Sequence, residues 1–172
     1  MAISAKKVCL VGDFSVGKTS LIRRFVDNQF SDEYLSTVGV KLSRKLVELP
    51  VADLAVELLI WDIEGQTQFK AIAPSYLQGA KGAIIVGDVK RPDTLEHLSN
   101  HLDLFFKINP KGRAIVALNK ADLVTPDTSQ KLLENYTFNA DYPQVLATYT
   151  TSAKTGQDVN AIFHELALAI TQ

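Results

Sequence analysis

Residues 12–19 read Gly-Asp-Phe-Ser-Val-Gly-Lys-Thr and lie between the apolar run VCLV and the mixed segment SLIRRFV. The spacing G-x-x-x-x-G-K-[ST] between a strand and a helix constrains this chain more than any other feature. It demands a buried strand, a tight glycine turn and a helix that opens directly behind the turn. The glycines let the backbone bend sharply and aim successive N–H groups inward at an anion. The helix N-terminus adds its positive end. The pattern therefore predicts a phosphate cradle formed by Ser15, Val16, Gly17, Lys18, Thr19 and Ser20. Lys18 is expected to reach the outer phosphates, and the Thr19 hydroxyl suits Mg²⁺, which prefers oxygen ligands. Phe14 places a bulky ring inside the same loop.

The rest of the chain alternates strand-like and helix-like segments. Strands are expected at 6–11, 40–49, 54–62, 82–89, 113–120 and 145–153. Most are short, apolar and rich in β-branched residues, as buried strands are. The turn PVAD at 50–53 is too short for a crossover, so 40–49 and 54–62 are expected to pair as an antiparallel hairpin. Val40, Leu42 and Leu46 are placed on one face of the first of these, and Lys41, Ser43 and Lys45 on the other. Leu21, Ile22, Phe25 and Val26 mark one face of a helix over 18–28. Leu95, Leu98, Leu102 and Phe105 mark a second helix, with Asp93 and Glu96 spaced like a capping box at its start. Val159, Ile162, Phe163, Leu166 and Ile170 mark the last. The expected fold class is α/β, a mostly parallel six-stranded sheet with one antiparallel edge strand and helices on both faces. A chain of 172 residues without repeats or a long linker is expected to form a single domain, 1–172. Ligands bind such sheets beyond the carboxyl ends of the strands.

Composition narrows the class of partner. Lys+Arg 18 against Asp+Glu 19 gives a net charge of −1, which does not call for nucleic acid or an anionic membrane. No apolar run is long enough to span a bilayer, Ala2 departs from an N-myristoylation motif, and the end ALAITQ offers no cysteine for a prenyl group. The sole cysteine, Cys9, reads as a small buried hydrophobe in a reducing compartment. The expectation is a cytoplasmic, unanchored monomer. His97, His101 and His164 read as solvated helix residues, and Arg23-Arg24 as a solvated helix face.

Two further motifs sit at strand ends. Asn119-Lys120-Ala121-Asp122 closes the strand at 113–120. The Asp122 carboxylate can accept two N–H bonds, from N1 and the 2-amino group of guanine, a donor pair that adenine lacks. Asn119 can tie neighbouring loops together, and the Lys120 stem can lie over the base plane. Thr151-Ser152-Ala153-Lys154 offers backbone N–H groups to the base oxygen and a second lysine stem.

The three motifs in this order resemble the Ras superfamily of small GTPases over essentially the whole chain. The stretches NQFSDEYLSTVGVKL (28–42), WDIEGQTQFKAIAPSYLQGAKGAIIVGDV (61–89) and RPDTL (91–95) are nearest to Rab proteins. The resemblance implies a P-loop G domain that binds GTP or GDP with Mg²⁺. Phe30 would pack edge-on against guanine, and Tyr34 would fold over the phosphates. Thr37 would ligate Mg²⁺ and sense the γ-phosphate, and Asp62 would hold the metal together with Thr19. Gly65 would touch the γ-phosphate, and Gln66 would orient the attacking water, with Lys18 and Thr37 as its catalytic companions. The implied activity is a slow GTP hydrolase, assisted by an activating protein, reloaded by an exchange factor and read by effectors that bind the two switch loops.

Several positions depart from the family pattern. Phe14 stands where Ras carries a glycine. Glu64 replaces a small alanine, and its carboxylate either repels phosphate or points to solvent. Lys41-Leu42 replaces an aspartate-phenylalanine pair, Pro74 limits helix in the second switch, and Trp61 belongs either to the core or to the surface between the switches. Phe14 and Glu64 keep a second reading open, a GTP-binding interaction module with little or no intrinsic hydrolysis. A nucleotide kinase is disfavoured, since the chain shows no lid-like arginine cluster.

Overall fold

The computed structural model describes residues 2–33, 37–68 and 70–172. Six strands form one sheet: β1 (Ala2–Gly12), β2 (Val40–Leu49), β3 (Leu54–Ile63), β4 (Gly82–Asp88), β5 (Arg113–Asn119) and β6 (Val145–Thr150). Their order across the sheet is β2-β3-β1-β4-β5-β6. β1 lies parallel between β3 and β4, and among the described residues only the β2–β3 pair of strands is antiparallel. Helices α1 (Lys18–Asp27), α2 (Pro92–Glu96), α3 (Leu98–Ile108), α4 (Pro126–Asn135) and α5 (Val159–Thr171) flank it.

The central strands are apolar on both faces because both faces are covered. On one side α1 and α5 bury Leu21, Ile22, Phe25, Ile162, Phe163 and Leu166 against Leu10, Ile60, Ile84 and Ile115. Phe25 and Phe163 stack there with ring centroids 4.1 Å apart. On the other side Leu95, Leu98, Leu102 and Phe105 cover Cys9, Val11, Ile85 and Val116, with Leu132 and Leu133 of α4 at the margin.

The α/β class and the mostly parallel six-stranded sheet with one antiparallel edge strand match the expectation, and several local details differ. β1 begins at Ala2 rather than residue 6, because the polar start ISAKK gains a ladder to β3 from Ala2↔Leu54 onward. β6 ends at Thr150, so Thr151–Ala153 leave the sheet and enter a loop. α4 was not legible, since none of its residues is fully buried. On β2 the expected apolar face is largely outside: Leu42 and Leu46 are 61% and 50% exposed, while Val47 and Leu49 are buried under α1 and α5. The expected capping box is absent. Asp93 and Glu96 make no side-chain cap, and the Thr94 hydroxyl instead donates to the Arg91 carbonyl at 2.7 Å and accepts from the Asp88 N–H at 2.9 Å. The helix is interrupted at His97, between α2 and α3.

Candidate functional site

The carboxyl ends of β1, β3, β4, β5 and β6 point to one edge of the sheet, where a parallel α/β fold places its ligands. A cleft of about 300 Å³ opens there. Its walls include Phe14, Ser15, Gly17, Lys18, Thr19, Ser20, Phe30, Thr37, Gly65, Asn119, Lys120, Asp122, Ala153 and Lys154. Of the remaining expected residues, Val16 and Ser152 are buried just behind the wall. Asp62 lies beneath it at the end of β3, Gln66 is half-buried on the loop after β3 and is not among the wall residues, and Tyr34 lies outside the described residues.

The loop after β1 takes its shape from two left-handed residues, Ser15 at φ 64° and Gly17 at φ 102°. Glycine is required at 17 for space as well, because a Cβ would approach Asn119 Nδ2 to 2.3 Å. Lys18 opens α1 and folds back over the loop. Its Nζ donates to the Asp13 carbonyl at 2.9 Å, and the residue is only 6% exposed. Burial lowers its pKa to about 8.

Beside the lysine, three oxygens from distant segments converge. Thr19 Oγ1 donates to Asp62 Oδ2 at 2.5 Å, and the Thr37 hydroxyl lies 2.8 Å from Thr19 Oγ1 and 3.4 Å from the same carboxylate. Asp62 is 1% exposed, and its Oδ1 has no hydrogen-bond partner among the described residues. Burial pushes this carboxyl above the ordinary range, only partly offset by Thr19 and Lys18. A buried acceptor left without a donor is costly. A hard cation with two hydroxyls and one carboxylate around it would remove that cost, so the donor set fits Mg²⁺.

The loop after β3 is seated on the phosphate loop through its backbone. The Gln66 N–H donates to the Gly12 carbonyl at 3.1 Å, and the Phe14 N–H donates to the Gln66 carbonyl at 2.8 Å. Gly65 permits this approach, since a Cβ would come within 2.5 Å of Phe14 Cα. Glu64 does neither of the things expected of it. It accepts from the Gly39 N–H at 3.2 Å and pairs with Lys70 at 2.8 Å, joining the segment before β2 to the loop after β3. Trp61 is half-buried, with Lys7 Nζ 3.6 Å from its ring centroid.

At the far end of the cleft, Asn119 donates from Nδ2 to the Val16 carbonyl at 3.0 Å and accepts from Thr151 Oγ1 at 3.1 Å. Lys120 Nζ donates to the Ser15 carbonyl at 3.0 Å and pairs with Asp88 at 3.0 Å. Ser152 Oγ donates to Asp122 Oδ1 at 2.7 Å, which orients a carboxylate otherwise open to solvent.

Other residues around the cleft escaped the sequence reading. Arg24 is not a solvated face residue: Nε donates to the Ala153 carbonyl at 2.8 Å and Nη2 to the Lys154 carbonyl at 2.6 Å, bracing the last loop. Arg91 Nη1 donates to the Phe14 carbonyl at 2.8 Å. His101 is not solvated either, at 1% exposed, whereas the His97 side chain is 40% exposed; both bond to Asp13. His164 is exposed. The one available signal was an acid inside a phosphate loop, which needs a partner to neutralise it.

Comparison with known proteins agrees with this geometry. The Ras family profile matches residues 7–172. Human Ras-related protein Rab-36 is 35% identical over 169 residues, covering 97% of this chain and 62% of that protein. Human Rab-22A is 33% identical over 171 residues, 99% of this chain and 86% of that protein. The GTP-binding protein ypt5 of Schizosaccharomyces pombe is 35% identical over 164 residues, 94% of this chain and 76% of that protein. With the three-motif cleft at the sheet edge and a family match over nearly its full length, the chain belongs to the Ras family and is a Rab-like small GTPase.

Proposed function

We infer that the cleft binds GTP with Mg²⁺ and hydrolyses it to GDP, and that this change is read out through the loops before β2 and after β3. The observation that carries the reading is the convergence of Thr19, Thr37 and Asp62, three oxygens from three segments around an orphaned carboxylate oxygen. Thr19, Thr37 and Asp62 would hold Mg²⁺, which supplies charge neutralisation on the phosphate oxygens when bound. Lys18 would lie against the outer phosphates, giving up its carbonyl partner for a stronger, charge-assisted one. Asp122 would accept two N–H bonds from guanine, held in place by Ser152, and Phe30 would flank the base. Gln66, held by its backbone against Gly12 and Phe14, would aim a water at the γ-phosphate. Phosphoryl transfer to water needs such positioning and charge more than covalent help. Because Thr37 and Gly65 come from different loops, loss of the γ-phosphate would release both, and the surface they form would change with the nucleotide.

Base recognition is tested by binding. Asp122→Ala is expected to weaken GTP at least about tenfold, because guanine's donors are left unpaired. Competition by ATP as strong as by GTP in the wild-type protein would remove guanine from the account. One observation favours the second reading, a GTP-loaded interaction module with little hydrolysis: Phe14, 36% exposed, lines the cleft while its N–H is spent on Gln66.

A further inference from the structure

Asp13 puts a carboxylate inside a loop whose task is to hold anions. Its backbone carbonyl accepts from Lys18 Nζ at 2.9 Å, so a free Asp13 side chain would be a near and strong competitor for that ammonium. Histidines take both of its oxygens instead. Asp13 Oδ2 accepts from His97 Nδ1 at 2.6 Å, and Oδ1 accepts from His101 Nε2 at 2.8 Å. An ionised carboxylate only accepts, so both of these ring nitrogens carry protons. Asp13 is 5% exposed and His101 1%, so the arrangement is part of the packing between the phosphate loop and α3. The interruption between α2 and α3 falls at His97, the residue whose ring reaches Asp13. The proposed hydrolysis uses neither histidine.

We propose that His97 and His101 are positioning residues for nucleotide binding: they hold the Asp13 carboxylate off Lys18, reserve that lysine for the phosphates, and make binding sensitive to pH through His97. This rests on reading the cleft as a GTP site. The charged groups around the pair are few. Asp13 faces His97 from the loop, Asp93 and Glu96 act on it from α2, and His101 lies one turn further on. Arg91 lies beside the same loop at the Phe14 carbonyl. The Asp13 hydrogen bond, opposed by burial and helped by Asp93 and Glu96, holds the His97 imidazolium above its ordinary range. Burial pushes the Asp13 carboxyl up, and the hydrogen bonds from His101 and His97 outweigh it, leaving the carboxyl below its ordinary range. As pH rises through the His97 pKa, its positive charge is lost while the carboxylate stays. Affinity for a phosphate ligand therefore falls as pH rises above the ordinary histidine range and through the raised His97 pKa.

The test is calorimetric titration of nucleotide-stripped protein with the slowly hydrolysed analogue GTPγS and Mg²⁺, at an acidic and an alkaline end that bracket the His97 titration. A donor-free variant of matched bulk, His97→Leu with His101→Phe, is expected to bind at least about tenfold more weakly. Adding Asp13→Asn to it is expected to restore most of the loss, because the competing charge is gone. A donor-keeping variant, His97→Asn with His101→Gln, is expected to match the wild-type affinity at the alkaline end and to keep only the pH dependence that Lys18, its pKa lowered to about 8, supplies. This second variant decides the matter if the donor-free one does not fold. Wild-type-like binding by the donor-free variant, no recovery with Asp13→Asn, or an unchanged pH slope in the donor-keeping variant would each overturn the clamp while leaving GTP binding intact. A wild-type protein that does not bind GTPγS would overturn both readings.

Discussion

Asp62 Oδ1 is a buried oxygen with no donor among the described residues, and it sits beside the two hydroxyls that a hard cation needs. Asp62→Asn keeps the shape and removes the charge. It is expected to speed GDP release by about tenfold in the presence of Mg²⁺ and to make release nearly indifferent to EDTA, whereas the wild-type protein should respond strongly to chelation. Release of a fluorescent GDP measures this directly. Asp62 is expected from the family resemblance alone, whereas Lys18 and Thr19 were legible in a motif that fixes residue type, spacing and context together. His101 and Arg24 were not, because their partners lie 88 and 129 positions away in the sequence. A buried histidine and a solvated one look alike until the partner is placed. Glu64 was misread for the same reason: its two partners belong to another loop and to a lysine six residues on. The histidine pair also has a stability consequence. A raised His97 pKa contributes stability that is complete below about pH 6.5, the ordinary histidine value, and is lost as pH rises through the folded value. Thermal melts of His97→Asn should lack that alkaline loss.

Elements were read best where burial imposes a pattern. β4 and β5 are buried almost throughout, and their apolar runs left little choice. α1 and α5 announced themselves by helical spacing, since each buries one stripe against the sheet. α4 has no buried residue, so no stripe marked it. β2 misled because it is an edge strand: its exposed Leu42 and Leu46 satisfy an apolar pattern without a core behind them. Phe163→Ala in α5 removes a stacked ring from a closed site and is expected to cost about 3–5 kcal/mol in urea unfolding. Gly65→Ala acts at a joint rather than in the core. A Cβ there meets Phe14 backbone at 2.5 Å, so it is expected to cost about 1–3 kcal/mol and to displace the loop after β3 from the phosphate loop. A smaller cost with unchanged nucleotide release would mean that the two loops are not rigidly seated on each other.

At the scale of the molecule, one sheet edge gathers every segment that touches the cleft, while two helical layers hold that edge still. The backbone ladder from Gly12 through Gln66 to Phe14 connects the phosphate loop to the loop after β3, and Glu64 connects that loop to Gly39 before β2. Both loops are thus linked to the place where a γ-phosphate would sit. Hydrogen exchange at residues 37–39 and 64–68 is expected to be faster in the GDP-bound than in the GTP-bound protein, with little change in β4 and β5. Equal exchange in the two states would remove the switch from the account. Cleavage of GTP in this cleft is tested by single-turnover phosphate release from purified protein loaded with GTP. Slow release above the protein-free control is expected, slowed further by about tenfold or more in Gln66→Leu with GTP still bound. No release above the control, with or without cell extract, would contradict it.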